Sequence, residues 1–233
     1  MKLMIRTALV AAAVVVGSAR VNAAVIVPDS VAAPFEDWSR GFFGSTYAEW
    51  DVFSSAFGSP NLPDAGEVEL ADATLLQGTP GAVLTGGGNI YSPAAAAQLA
   101  VAIPQLASAP VGTTRIVAQV QSLGATLDAG SVFLTPANGV ANPPMYSTLA
   151  ATGVGFGAVE QHLFAWDVAA DADGYVLTFA GSGPHFSLDQ VVIDTYTQND
   201  GFSAFPLGAP EPAAALLLAL GGAASLTQRS RVS

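Results

Sequence analysis

Hydrophobic and polar residues alternate with a period of two along much of the chain between residues 24 and 205. In residues 114–124, for example, Ile116, Ala118 and Val120 fall on one face and polar residues share the other. Such alternation is typical of β-strands that bury one face. Similar short runs, bounded by Gly, Pro, Asn and Asp, lie at 46–53, 67–76, 88–92, 97–103, 131–135, 160–168, 174–182 and 185–196. The pattern predicts an all-β fold, an antiparallel two-sheet β-sandwich of jelly-roll-like type.

One stretch is ambiguous. Residues 92–101 begin with Ser92 and Pro93 and continue with four alanines, which is how a helix with a serine cap would begin. Residues 98–103 alternate, however, and alternation favours a strand. We expect a short turn or an edge strand here, with a helix as the alternative.

The first 23 residues have the pattern of a secretory signal peptide. Lys2 and Arg6 give a positive start, residues 7–16 are apolar, and Ala23 ends a small-residue cleavage motif. The alternatives are a buried helix or a membrane anchor, but the apolar stretch is shorter than the roughly 20 residues that span a bilayer. We expect cleavage after Ala23, which leaves residues 24–205 as the exported β-sandwich domain.

The C-terminus carries a second apolar stretch. Residues 213–226 are apolar or small, with no polar side chain before Ser225, and Arg229 and Arg231 follow. A core helix would instead show polar residues recurring along one side. Taken from Phe205, the stretch approaches the length that a bilayer requires. The arginines favour a cytoplasmic end. These features predict a hydrophobic helix that spans the membrane at about 213–227 and a basic tail at 228–233.

A Pro-Glu-Pro triplet stands directly before this stretch, at Pro210, Glu211 and Pro212. Proline cannot continue a helix toward its N-terminus beyond the first turn, so the triplet favours extended backbone. The triplet, the apolar stretch and the short Arg tail together resemble the PEP-CTERM sorting signal of Gram-negative bacteria, over residues 206–233. The Arg229–Arg231 cluster is thinner than in many members. The resemblance implies processing by an exosortase, transient membrane anchoring through the C-terminus, and then release or attachment at the cell surface, in bacteria that make exopolysaccharide and biofilm.

The net charge of the chain narrows the classes of function that we expect. The chain has 233 residues, no Cys and a net charge of −11. Between residues 24 and 209 only Arg40 and Arg115 are basic, against 17 acidic residues, which gives 2 − 17 = −15. A surface with this charge repels phosphate backbones, so nucleic acid is not an expected partner. The lack of Cys excludes a disulfide framework and a thiol nucleophile.

The motifs of a catalytic centre are weak. His162 and His185 are the only histidines, and neither lies in a zinc or hydrolase motif. Glu49 and Asp51 could place two carboxylates on one face of a strand, as a glycosidase requires, but a solvated strand has the same pattern. We therefore expect no enzyme activity, with a small glycoside-active enzyme as the least favoured alternative.

Two kinds of binding residue remain as candidates. Asp171 and Asp173 precede Gly174 as the ligands of a calcium loop would, but the later ligands of an EF-hand are missing and a hairpin turn is the favoured interpretation of the pattern. Asp189 is the next candidate ligand for a structural Ca²⁺. Trp38 and Tyr146 are the candidate glycan contacts, because flat aromatic rings match the C–H faces of sugars.

The leading expectation is thus a non-enzymatic, exported protein of the cell surface or extracellular matrix. It would have a structural or adhesive role in exopolysaccharide or biofilm. The alternative is a carbohydrate-binding module, stabilised by calcium, that contacts exopolysaccharide.

Overall fold

The structure is a computed structural model that describes residues 34–67, 70, 72–105, 111–152, 158–171 and 173–205. The predicted signal peptide, its cleavage point at Ala23, and the sorting signal at 206–233 lie outside the described residues. Within the described ranges the chain is all-β, as predicted. The strands are β1 Ser45–Trp50, β2 Ala65–Gly66, β3 Thr74–Gln77, β4 Val83–Leu84, β5 Ile90–Ser92, β6 Gln98–Ile103, β7 Thr113–Gly124, β8 Leu127–Pro136, β9 Tyr146–Thr152, β10 Val159–Ala169, β11 Tyr175–Gly181 and β12 Phe186–Gln198.

The strands form two antiparallel sheets. The large sheet has the order β2-β1-β12-β7-β10-β9, and β5 extends from β12 with β4 beside it. The small sheet has the order β3-β6-β11-β8. Because β1 pairs with β12, the first and last described strands lie side by side.

The main core takes apolar side chains from both sheets. Ile116 and Trp166 come from the large sheet, and Val101 and Leu177 come from the small sheet. The indole N–H of Trp166 donates to the backbone oxygen of Asn142 at 3.1 Å, so burial of this ring leaves no unpaired donor. Burial of these side chains is the main favourable term in folding.

Strand β7 confirms the alternation. Ile116, Ala118 and Val120 lie in the main core, and Arg115 and Val117 point to the opposite face of the large sheet. Both faces of β7 are nevertheless buried. Something therefore covers the outer face as well.

The cover consists of two short stretches of chain. We call residues 34–44 the N-terminal segment and residues 201–205 the C-terminal segment. Phe35 and Trp38 of the first pack with Val117 and Leu163 of the sheet, and Phe205 of the second packs beside them.

Several element predictions were wrong in detail. The predicted strand 46–53 ends at Trp50, because the Asp64 carboxylate accepts the amides of Asp51 and Val52, at 2.8 and 2.7 Å. In the described part of the predicted strand 67–76, β3 begins only at Thr74, and Leu70 N donates to Glu67 O at 3.0 Å. Residues 98–103 form β6, so a strand is confirmed over the helix. The prediction of an edge strand was wrong, because β6 pairs with both β3 and β11.

Strand β9 was not predicted. Its sequence, YSTLAAT, contains strand formers in Tyr146 and two threonines, but it shows no clear apolar–polar alternation and follows two prolines. Pairing with β10 makes it a strand. Tertiary pairing thus outweighs a weak local preference.

Candidate functional site

Arg115 is the node at which the two ends of the described region meet. Its side chain is 0% exposed, although it lies in the middle of the outer face. Nε and Nη2 donate to the two oxygens of Asp167, directly opposite on β10, at 2.7 and 2.8 Å. Nη1 donates to Pro34 O at 3.1 Å and Nη2 donates to Ser203 O at 2.7 Å. One guanidinium therefore holds a strand and both terminal segments.

Only arginine can make this set of contacts. Its planar group offers five donors in a fixed fork, whereas lysine offers a single ammonium. The guanidinium also lies over the rings of Phe202 and Phe205, 4.4 and 4.2 Å from their centres. Contacts of this kind attract a cation to the ring face. The buried positive charge of Arg115 is thus compensated by one carboxylate, two carbonyl groups and two aromatic rings.

A direct link joins the two segments. The Asp37 carboxylate accepts the backbone N–H and the hydroxyl of Ser203, both at 3.0 Å. One oxygen of Asp37 also lies 3.6 Å from Nη1 of Arg115. The ends of the described chain are therefore fastened to each other as well as to the sheet.

Arg40 forms a second node on the same face. Its Nε and Nη2 bind the two oxygens of Asp194 at 2.6 and 3.0 Å, and the Asp194 side chain is 0% exposed. Burial raises the pKa of Asp194 to about 6, against the opposing effect of Arg40 and with a further increase from Glu49 and Glu67. The buried carboxylate therefore holds the N-terminal segment on β12 at some cost in desolvation.

These two nodes use all the Lys and Arg of the described residues. Both arginines are neutralised by carboxylates, and exposed acidic side chains elsewhere in the described residues, including Asp51, Asp72 and Asp128, have no ion pair with them. The surface of this region is consequently negative with no compensating Lys or Arg. Such a surface favours solubility and attracts cations.

The two predicted glycan-contact residues lie in this covered region. Trp38 is only 4% exposed and stacks on Tyr196 at 5.3 Å. Tyr146 is half-buried and stacks on Phe205 at 5.5 Å. Their rings bind the chain's own segments, so this placement gives no support to Trp38 as a sugar platform.

The candidate calcium ligands do not come together as one set. Asp171 and Asp173 both accept from the side-chain amide of Asn138, at 3.4 and 2.7 Å. The backbone amides of Asp173 and Asn138 lower the pKa of the Asp171 carboxyl. Asp189 lies elsewhere, where it accepts from Asn89 at 2.6 Å and from Gln121. Within the described residues no group of three His, Asp or Glu side chains could hold a metal.

The alternative interpretation of residues 171–174 as a turn is correct in part. Gly174 N donates to Asp171 O at 3.1 Å, and Gly174 takes a left-handed φ of 85°. Asp173 does not take the left-handed conformation, and the turn joins β10 of the large sheet to β11 of the small sheet. It is therefore a crossing between sheets rather than a hairpin.

The two carboxylates considered for glycoside hydrolysis, Glu49 and Asp51, are not arranged as a catalytic pair on one strand face. Glu49 accepts from the Gln190 amide at 2.7 Å on the outer face. Asp51 lies beyond the end of β1, so the two acids do not share a strand face. His162 lies in β10 and bonds to Glu160 at 3.1 Å, and the His185 ring bonds to the Tyr91 hydroxyl at 2.7 Å.

A shallow groove lies on the outer face of the small sheet. Its volume is about 350 Å³, within the range of small-molecule sites. Leu76, Ala100 and Ala180 supply apolar lining, and Gln98, Ser131 and Thr178 supply polar groups. Sequence reasoning missed this groove because its lining comes from four strands that pair only in the fold.

Comparison with known proteins adds no relative. No protein-family model matches the chain, and no curated protein matches it significantly. A search of the described residues for a helix long and apolar enough to cross a membrane gave none. The predicted membrane segment at 213–227 lies outside those residues.

Proposed function

We propose that the protein is an exported cell-surface or matrix protein, sorted by an exosortase, with a structural or adhesive role. One observation carries the proposal: both ends of the described region are fixed to one face by Arg115. Phe205, at the end of the C-terminal segment, lies five residues before Pro210. An extended chain of that length reaches at most roughly 18 Å. The sorting signal therefore leaves the domain from a defined place.

The form of the domain suits a scaffold. We propose that its two sheets pack face to face as a β-sandwich, because the main core draws on both of them. The jelly-roll-like connectivity stays a prediction. The Glu49 carboxylate, one of the two that first suggested catalysis, instead bonds to Gln190 of the neighbouring strand. These features favour a structural role over turnover.

The negative surface supports the same proposal. The two basic residues between residues 24 and 209, Arg40 and Arg115, are both neutralised by carboxylates. A domain with this charge remains soluble and repels its own copies at low salt. In a cation-containing matrix that repulsion is screened. The domain would therefore stay dispersed during export and tolerate close packing once outside.

Intact mass and fractionation in the native host test the proposal. The wild-type chain should begin at Ala24, end near Pro210, and occur in the medium or matrix. Replacement of Pro210, Glu211 and Pro212 by Ala should leave a chain that ends at Ser233 in the membrane fraction. Replacement of residues 206–208 by Ala is the matched control and should be processed normally. A wild-type chain that keeps Ser233 would refute the sorting proposal.

The groove favours a second candidate function, a carbohydrate-binding module. Its mixed lining of Leu76, Gln98 and Thr178 offers apolar and hydrogen-bonding contacts together. Binding of the host's purified exopolysaccharide tests this candidate. Thr178→Trp should fill the groove and abolish binding, whereas Thr148→Trp on β9 should not. Loss of binding with Tyr146→Ala alone would instead place the contact on the outer face of the large sheet.

A further inference from the structure

The edges of the two sheets are protected unequally. An edge strand presents unpaired N–H and C=O groups, and proteins usually protect such edges with charges, prolines, bulges or very short strands. Three of the four edges in this fold have a device of that kind. The fourth edge, β9, has none.

Isolated bridges cover both edges of the small sheet. On β3, Asn61 N donates to Leu75 O at 2.7 Å and Leu75 N donates to Asn61 O at 2.9 Å. On β8, Asn142 makes the same pair of bonds with Leu134, at 2.8 and 2.9 Å. Prolines flank both bridges, which prevents a longer strand from forming there. At one side of the large sheet the edge consists of β2 and β4, which have only two residues each.

Strand β9 is different in length and composition. Its seven residues, Tyr146–Thr152, contain no charge, no Pro and no Gly. Among the described residues it pairs with β10 only. Leu149, at its centre, is 57% exposed, so the strand extends beyond the cover of the small sheet. A long, neutral and uncovered edge is a site for strand addition.

We propose that the free edge of β9 pairs with the β9 edge of a second copy of this chain. Charge identifies the place of contact, because a region with −15 between residues 24 and 209 repels another copy almost everywhere else. The uncharged edge is where two acidic copies can approach closely. Antiparallel pairing of identical strands is also self-complementary across a two-fold axis. Centring the axis on Leu149 pairs the greatest length of strand and sets Ser147 opposite Ala151 of the other copy.

The pairing joins two large sheets into one continuous sheet. It buries Leu149 of both copies against each other, a favourable cross-strand contact. This inference goes beyond the proposed sorting function and does not depend on it, since processing of the tail and pairing of β9 are measured separately. It gives the matrix protein a means of linking copies through backbone hydrogen bonds.

Cysteine cross-linking tests the register, because the natural chain contains no Cys. In the full-length chain, Leu149→Cys should form a disulfide-linked dimer under mild oxidation. Val140→Cys is the matched control, since Val140 is an apolar residue with 78% exposure that lies off the strand. It should cross-link at least about tenfold less. Equal cross-linking at both positions would overturn the proposal.

Adding negative charge to the neutral β9 edge gives a second test. Adding Ser147→Asp and Ala151→Asp to the Leu149→Cys chain places like charges opposite each other, which should suppress the dimer. Adding Val140→Asp should leave the dimer unchanged. A Leu149→Cys chain that stays monomeric also refutes the proposal, and slow hydrogen exchange of the β9 amides would then assign the edge to another segment of the same chain.

Discussion

The two faces of the large sheet are both buried, but by different means. The inner face meets the small sheet through apolar side chains such as Ile116 and Trp166. The outer face is covered by two short terminal segments, which are tied down by Arg115 and Arg40. A whole sheet can hold its partner through buried area alone. Short segments bury too little area for that, so directional contacts must supplement the aromatic ones.

The largest loss of stability is expected for a change on the inner face of the large sheet. Trp166→Ala removes a fully buried ring and should lower the free energy of unfolding by about 3–5 kcal/mol. Urea unfolding followed by circular dichroism measures the change. Val176→Ala, at a partly exposed position on β11, is the control and should cost less than about 0.5 kcal/mol. A Trp166 variant as stable as this control would show that the inner face is not the main core.

Arg115→Met tests whether the outer face depends on charge. Loss of the guanidinium leaves Asp167 and the carbonyls of Pro34 and Ser203 without their donor, at a cost of roughly 3 kcal/mol. Asp167→Asn in the same chain should recover part of this loss, and a double-mutant cycle measures the coupling. Additive effects in the cycle would contradict the proposed node.

The Arg40–Asp194 pair should make stability depend on pH. The folded pKa of about 6 lies above the ordinary value of 3.8, so the folded state binds a proton that the unfolded state does not. Stability from this group should therefore rise as pH falls from about 6 toward 4, by up to about 1.4 kcal/mol per pH unit. Unfolding at pH 7 and pH 5 measures this gain. Asp194→Asn should lack it, whereas Asp200→Asn, an exposed control, should retain it; parallel profiles for wild type and Asp194→Asn would refute the assignment.

The smallest loss of stability is expected for a change at Phe205, the last residue of the C-terminal segment. Phe205 is half-buried against Tyr146 and Arg115, so Phe205→Ala should cost only about 1 kcal/mol. Its main result should be local, with faster proteolysis within residues 201–205. Phe43→Ala, at a ring that is 73% exposed, is the control. Equal proteolysis of the two variants would mean that the ring of Phe205 does not hold the segment.

The sequence predicts the inner face better than the outer one. Alternation in β7 identifies Ile116, Ala118 and Val120 as core residues, because a period of two marks a face that meets apolar neighbours. Alternation does not reveal what covers the opposite face. Trp38 was consequently interpreted as an exposed contact, whereas the N-terminal segment buries it.

One signal for the outer node was present in the sequence. Arg115 is one of two basic residues between residues 24 and 209, and it lies near the beginning of a strongly alternating strand. A charge in such a place needs a partner. Its partners Asp167 and Ser203 are far away in sequence, so only strand pairing could identify them. The groove and the exposed β9 edge were missed for the same reason.

The attachment of the N-terminal and C-terminal segments to Arg115 also has a mechanical consequence. Strands β1 and β12 are antiparallel neighbours, and Ser45 pairs with Tyr196 at the end where both terminal segments attach. Tension between the two ends would therefore peel these strands apart one pair at a time instead of shearing them all together. Before that peeling begins, the load must break the ties of Arg115 to both ends. The bonds of the Arg115 guanidinium to Pro34 and Ser203 therefore bear a pulling force before the pairing of β1 with β12 is loaded.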